Sequence, residues 1–298
     1  MNETTTDMSG KVVAITGANT GIGLATATEL ARRGATILAC GRSQAKLDAA
    51  RASIEAARKG AEVETFVADL ASMNQVRGLA ATIAERTDRL DVLINNAGVG
   101  VDRRIETEDG LELTFAVNVM APYVLTTSLL PLLKASAPSR IVTVSSAVHT
   151  SVKELDLDDL QSERSYRWSD VYARAKLASI LFSYELARRL DGTGVTSNVL
   201  HPGVIATEFG GDGDLRGTNA VLFSVLKWFL PGPEAGARTS LHVATAPDLN
   251  GVTGRYFDNG AEKSPSTLAQ DSDLARALWG RLEGIAGGSA TRSIMNRA

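Results

Sequence analysis

The chain has 298 residues, 22% of them charged in both signs, and a formal net charge of −3, so it carries neither a basic footprint for nucleic acid nor an acidic tail. A small molecule is the default partner, and the length is enough to bury one large core. The single cysteine, Cys40, excludes an internal disulfide and fits a reducing compartment.

Residues 1–10 are polar and lack the apolar centre of a signal peptide, so they read as a frayed lead-in. Lys11 to Thr16 is an apolar, β-branched run closed by Gly17, which predicts a buried strand and a tight turn. Helical spacing follows from Gly21 to Arg33. The alternation then repeats: strand at 35–40, helix at 43–59 capped by Ser43, strand at 61–68, helix from the Ser72 cap to about Glu85, strand at 90–95, helix over 111–133 and strand at 140–145. A helix beginning near Tyr172 precedes a sixth strand at 195–200. The remainder supplies a helix from Pro233 through Ala246, a short strand at 255–257 and a final helix around 273–285, leaving 291–298 as a tail. Near-continuous apolar strands alternating with helices imply a parallel sheet covered on both faces, a doubly wound α/β fold in a single domain over 11–290. No run approaches the 18 or so apolar residues of a membrane span, so a soluble, cytoplasmic protein is expected.

Two segments break this rhythm. The first, 149–170, reads either as a solvated loop with a short helix or as a wall of an active site. The second, 206–233, passes from a glycine-rich stretch to an apolar one at Val221 to Leu230, and fits a mobile lid, a core helix or an oligomer contact equally well.

Chemistry enters at three places. Gly17, Asn19, Thr20, Gly21, Ile22 and Gly23 form a glycine turn between the first strand and the first helix, where a doubly wound sheet binds a dinucleotide pyrophosphate. At the end of the second strand Gly41 stands where an NAD-preferring site usually has a carboxylate, and Arg42 follows. A guanidinium there can grip a 2′-phosphate, which predicts NADP(H) over NAD(H), although Arg42 also reads as an ordinary surface arginine. Tyr172 and Lys176 lie four apart on one helical face, buried on its other side by Leu177, Ile180, Leu181 and Tyr184. A neighbouring ammonium favours the phenolate, so Tyr172 is expected to have a lowered pKa and to exchange a proton with an alcohol or carbonyl oxygen. Taken alone, the same pair reads as two exposed helical side chains. The histidines at 149, 201 and 242 are scattered, without metal spacing, and read as structural.

The glycine turn, Asn95-Asn-Ala-Gly98, Ser145-Ser146, Tyr172 with Lys176, and His201-Pro-Gly203 follow one another as in the short-chain dehydrogenases/reductases, which the chain resembles over roughly Lys11 to Gly203. Within that family Val142 to His149, the long segment before Tyr172, Lys176 to Phe182, Gly194 to Thr196, His201 to Val204 and Gly236 to Ser240 look like the retinol dehydrogenase and WW-domain oxidoreductase group. The resemblance implies a Rossmann fold and a role for each matching residue. Tyr172 would be the general acid or base, Lys176 would lower its pKa and hold the nicotinamide ribose, and Ser146 would bond the substrate oxygen, with Ser145 structural. Asn118 would join Lys176 to a proton-relaying water, or else satisfy the helix backbone. Asp69 and Leu70 would flank the adenine, Asp69 reading otherwise as a loop aspartate near a helix cap. Asn95, Ala97 and Gly98 would form the wall beside the adenosine ribose. Pro202, Gly203 and Val204 would approach the nicotinamide, and Thr207 its carboxamide. Tyr172 follows Ser146 by 26 positions, longer than the usual family spacing, so a remodelled pocket is expected. A homo-oligomer is compatible with the family.

The expected activity is hydride transfer between NADP(H) and the carbonyl or alcohol carbon of a lipophilic small molecule. Reduction of a carbon–carbon double bond is the alternative within the fold, separable by product analysis. A non-catalytic NADP-sensing regulator is the alternative of another class, and tight binding without turnover would reveal it.

Overall fold

The computed structural model describes residues 6–203 and 232–295, with side chains through 287. Among these are eight strands: β1 (Val12–Thr16), β2 (Thr36–Gly41), β3 (Val63–Val67), β4 (Val92–Asn95), β5 (Ser139–Val144), β6 (Val195–His201), β7 (Tyr256–Asp258) and β8 (Ala261–Lys263). They form one sheet in the order β3-β2-β1-β4-β5-β6-β7-β8, parallel throughout except for the antiparallel β7–β8 pair. Chain order reverses between β1 and β4, and the crevice beyond the carboxyl ends of these strands is where such sheets bind ligands.

Among the described residues seven helices cover the sheet: α1 (Gly21–Arg32), α2 (Gln44–Ala57), α3 (Met73–Arg86), α4 (Leu113–Ala135), α5 (Trp168–Arg189), α6 (Pro233–Thr245) and α7 (Ser272–Met295). The period-2 alternation of strand side chains creates two cores. Val13, Ile15, Ile37, Ala39, Val92 and Ile94 face one side and pack on α1, α2 and α6. Ala14, Leu38, Leu93 and Ile141 face the other and pack on α3, α4, α5 and α7. The expected serine caps form, with Ser43 accepting from the Lys46 amide and Ser72 from the Gln75 amide.

Several elements depart from the sequence reading. Met8 is buried and its amide donates to Arg33 at 2.8 Å, so the end of the lead-in is packed against α1. The β8 strand, short and exposed, has no apolar signature; its pairing with β7 creates it. Helix α7 runs to Met295. Trp279 on α7 stacks on Phe182 at 5.9 Å, meets Tyr123 edge-on at 5.1 Å and lies under the Arg189 guanidinium. Helix α5 is therefore enclosed by the sheet, α4 and α7 and not buried along one side alone, which its small residues Ala173, Ala175, Ala178, Ser179 and Ser183 permit.

Helix α4 contains a π-helical turn at Ala116–Met120. Pro122 lacks the N–H that an α-helix would offer to the Asn118 carbonyl, and Ser179 Oγ of α5 donates to that oxygen at 3.1 Å instead. Length and composition would allow α4 to cross a membrane, but 72% of its most apolar window is buried inside this fold.

Candidate active site

The carboxyl ends of β1, β2, β4, β5 and β6 open on one cavity of about 500 Å³. At one end stands the glycine turn. Gly17 and Gly21 have φ of +67° and +54°, the left-handed region that side chains disfavour. At Gly23 an added Cβ would lie 2.1 Å from the Gly17 carbonyl oxygen, so the helix start rests directly on the turn. The N-cap Thr20 is extended and makes no side-chain hydrogen bond to the first-turn amides. Gly17 and residues 19–23 line the cavity, which presents the positive end of α1 to it. This uncapped turn beside an open cavity fits a dinucleotide pyrophosphate.

Arg42, Asp69 and Leu70 stand on the wall formed beyond β2 and β3. A Cβ at Gly41 would come within 3.0 Å of Asn19 Oδ1, so the bare backbone where a carboxylate was sought makes room for Asn19. One Asp69 oxygen already accepts the Ala71 amide at 2.9 Å, a local turn contact.

Beyond β4 the structure corrects one expectation. Asn95 does not line the cavity; it ends β4 with its side chain in the core, donating to Thr126 Oγ1 of α4 at 3.0 Å. Alternation along the extended chain puts the next residue on the other side, and Asn96, Ala97 and Gly98 form the wall. Asn96 Nδ2 donates to the Thr16 carbonyl at 2.8 Å, joining the ends of β1 and β4.

Ser146, Tyr172 and Lys176 line the same cavity. Ser146 opens a 3-10 turn at Ala147–Ser151, and Tyr172 and Lys176 come from the second and third turns of α5. Ser145 is turned inward, donating to the Lys176 carbonyl at 2.7 Å. Asn118 lies behind the wall, its amide nitrogen donating to Thr114 at 2.7 Å and Val99 at 2.8 Å. Its Oδ1 has no hydrogen-bond partner among the described residues. A Cβ on Gly98 would stand 2.7 Å from that oxygen and 3.1 Å from Lys176 Nζ, so the glycine lets the two approach one region.

The electrostatics differ from the sequence expectation. Burial raises the Tyr172 phenol above its ordinary value. The Lys176 ammonium lies over the ring, 5.5 Å from its centroid, and donates to the Val144 carbonyl at 3.1 Å. Burial in turn lowers Lys176 to about 8, so the cation that was to acidify the phenol is itself weakened.

Pro202 and Gly203 line the cavity, whereas Val204, Thr207 and all of 206–233 except its last two residues fall outside the described residues. The sequence reading omitted the apolar lining residues Val99, Val117, Val148 and Trp168. Val148 is 42% exposed. Its signal was an apolar side chain in a polar loop directly after the two serines. Trp168 shows that the long segment before Tyr172 reaches the cavity, in favour of the wall reading. Among the described residues no group of three or more His, Cys, Asp or Glu could hold a metal ion.

The family model of the short chain dehydrogenases matches residues 11–214. Retinol dehydrogenase 14 of Mus musculus is 44% identical over 283 residues, covering 91% of this chain and 84% of the relative. Polyprenol dehydrogenase of Mus musculus is 40% identical over 294 residues, covering 94% and 86%. Among solved structures, an uncharacterized protein from Mycobacterium Paratuberculosis matches with a TM-score of 0.75 at 31% identity over 95% of both chains. A short chain dehydrogenase from Burkholderia cenocepacia J2315 in complex with NADP matches with a TM-score of 0.66 at 26% identity, covering 89% of this chain and 99% of that one.

Proposed function

Because this chain belongs to the short-chain dehydrogenase family, NAD(P)-dependent oxidoreductases of alcohol and carbonyl groups, we propose that it uses NADP(H) to interconvert a lipophilic carbonyl compound and its alcohol. The observation that carries the reading is that Ser146, Tyr172 and Lys176 line the same cavity as the uncapped turn of α1. When bound, the nicotinamide supplies or accepts the hydride. The first-turn amides of α1 hold the pyrophosphate, Arg42 the 2′-phosphate, Asp69 and Leu70 the adenine, and Ala97 and Gly98 the adenosine ribose. Lys176 binds the nicotinamide ribose, and Pro202 and Gly203 border the nicotinamide.

Ser146 Oγ hydrogen-bonds the substrate oxygen and holds its carbon toward the hydride. In reduction Tyr172 gives its phenolic proton to that oxygen as the carbonyl π bond breaks, and in oxidation it takes the proton back. Burial holds the phenol in its protonated form, the form that reduction requires. Lys176, lowered by burial to about 8, exchanges protons at neutral pH and is the group that resupplies the Tyr172 proton, with Asn118 Oδ1 offering an acceptor for a relay beside it.

Val99, Val117, Val148 and Trp168 support a lipophilic substrate. The relatives' names, retinol and polyprenol dehydrogenase, are those of enzymes of isoprenoid alcohols. The test is NADPH oxidation with aliphatic, aromatic, terpenoid and steroid aldehydes and ketones, with Tyr172→Phe in parallel. Turnover should fall about 10²-fold or more in the variant while NADPH affinity is kept. Equal turnover in both proteins refutes the proton-transfer role, and a saturated carbonyl product in place of an alcohol would move the reading to carbon–carbon double-bond reduction.

A further inference from the structure

His149 is 1% exposed, and both of its ring nitrogens are engaged. Nδ1 lies 2.7 Å from the carbonyl oxygen of Ser146. Nε2 lies 3.2 Å from the backbone nitrogen of Ser266, in the turn that follows β8. A carbonyl oxygen can only accept and an amide N–H can only donate, so the ring is the neutral tautomer with its proton on Nδ1. Burial, the larger effect, lowers its proton affinity against the opposing bond to Ser146, in keeping with a neutral ring. The ring also meets Tyr256 of β7 edge-on, with centroids 5.3 Å apart. Inside its own turn Ser146 has two long contacts: its hydroxyl receives the Val148 amide at 3.4 Å and its carbonyl receives the His149 amide at 3.3 Å.

We propose that His149 is a positioning residue that fixes the Ser146 hydroxyl by clamping the Ser146 carbonyl to the β7–β8 end of the sheet. The inference rests on the catalytic reading of Ser146. A hydroxyl attached to a peptide unit that can rotate does not meet the substrate oxygen in one geometry, and misplacement by about 1 Å costs on the order of 10²-fold in rate. The imidazole removes that freedom by adding a 2.7 Å bond to the turn's own long contact and by tying the turn to the distant Ser266 amide. A neighbouring histidine does the same beyond the adjacent strand β6: His201 Nδ1 accepts the Gly203 amide at 3.0 Å, and its Nε2 lies 3.1 Å from Asp258 of β7. The ends of β5 and β6 are thus both braced from the C-terminal strands through histidine side chains.

The chemistry of the two nitrogens supplies the test. An asparagine amide nitrogen can occupy the Nδ1 position and restore the donor to Ser146, whereas a glutamine amide reaches the Nε2 position and restores only the Ser266 side. His149→Phe should lower kcat about tenfold or more, with KM for NADPH within about twofold of wild type. His149→Asn should recover most of kcat, and His149→Gln should not. In a Ser146→Ala background His149→Phe should have no further effect, because its action passes through the serine. Nitrogen-15 NMR of histidine-labelled, cofactor-free protein at pH 7 should show the Nδ1–H tautomer in a signal that His149→Asn removes. An Nε2–H tautomer, equal behaviour of the Asn and Gln variants, or the same loss in both serine backgrounds would overturn the proposal. Full turnover by Ser146→Ala alone would instead overturn the catalytic reading of Ser146 and this inference with it.

Discussion

Lys176→Met offers a test in which stability and activity move in opposite directions. The side chain is 3% exposed, and burial brings its pKa from 10.5 to about 8. The unfolded chain therefore binds the proton more tightly than the fold, and stability rises with pH between about 8 and 10.5. Below that window the fold carries the whole penalty. A difference of about 2.5 between the two values corresponds to about 3 kcal/mol. Methionine keeps the stem's volume but forfeits the bond to the Val144 carbonyl, a loss of about 1 kcal/mol. The variant should then be about 2 kcal/mol more stable than wild type at pH 7 while losing turnover, with the advantage falling to about 1 kcal/mol at pH 9. Denaturant unfolding of cofactor-free protein at the two pH values measures this. The Tyr172 phenol, raised by burial, remains protonated at both pH values and leaves the comparison clean. A variant less stable than wild type at pH 7, or an advantage that does not change with pH, would refute the reasoning.

Two glycines of the α1 turn should behave differently. Gly23→Ala drives a Cβ to 2.1 Å from the Gly17 carbonyl and 2.6 Å from Asn96 Nδ2, so thermal unfolding should show a loss of about 3 kcal/mol or more. Gly21→Ala meets open space and should lose only about 1 kcal/mol, from its positive φ; equal losses would contradict the packing. Arg42→Asp should weaken NADPH binding at least about tenfold and leave NADH binding equal or tighter, by fluorescence titration. Unchanged NADPH affinity would remove Arg42 from the phosphate site.

The doubly wound framework was legible because its signals are local. An apolar β-branched run ending in Gly17 is a strand and a turn whatever surrounds it, and Ser43 and Ser72 cap their helices through amides three residues away. The same holds for the cavity's polar contributors: the glycine turn, Arg42, Asp69, Gly98, Ser146, Tyr172 and Lys176 lie at the ends of strands or on one helical face, and the order of the strands brings those ends together. Asn95 and Asn96 were harder to separate, because adjacent identical residues differ only in which face of the sheet each meets.

Chain order and residue pattern therefore sufficed for β1 to β7, the turn and the side chains proposed to react. The packing of distant segments set the rest. Enclosure of α5 by α4, α7 and the sheet raises the Tyr172 phenol and lowers Lys176, a reversal that four-residue spacing does not disclose because desolvation depends on what covers a helix from outside. The π-helical turn at Asn118 is completed by a hydroxyl 61 positions away, and the His149 ring accepts from an amide 117 positions away. Such bonds have no period along the chain, so they exist only once the sheet has brought both partners to the same end.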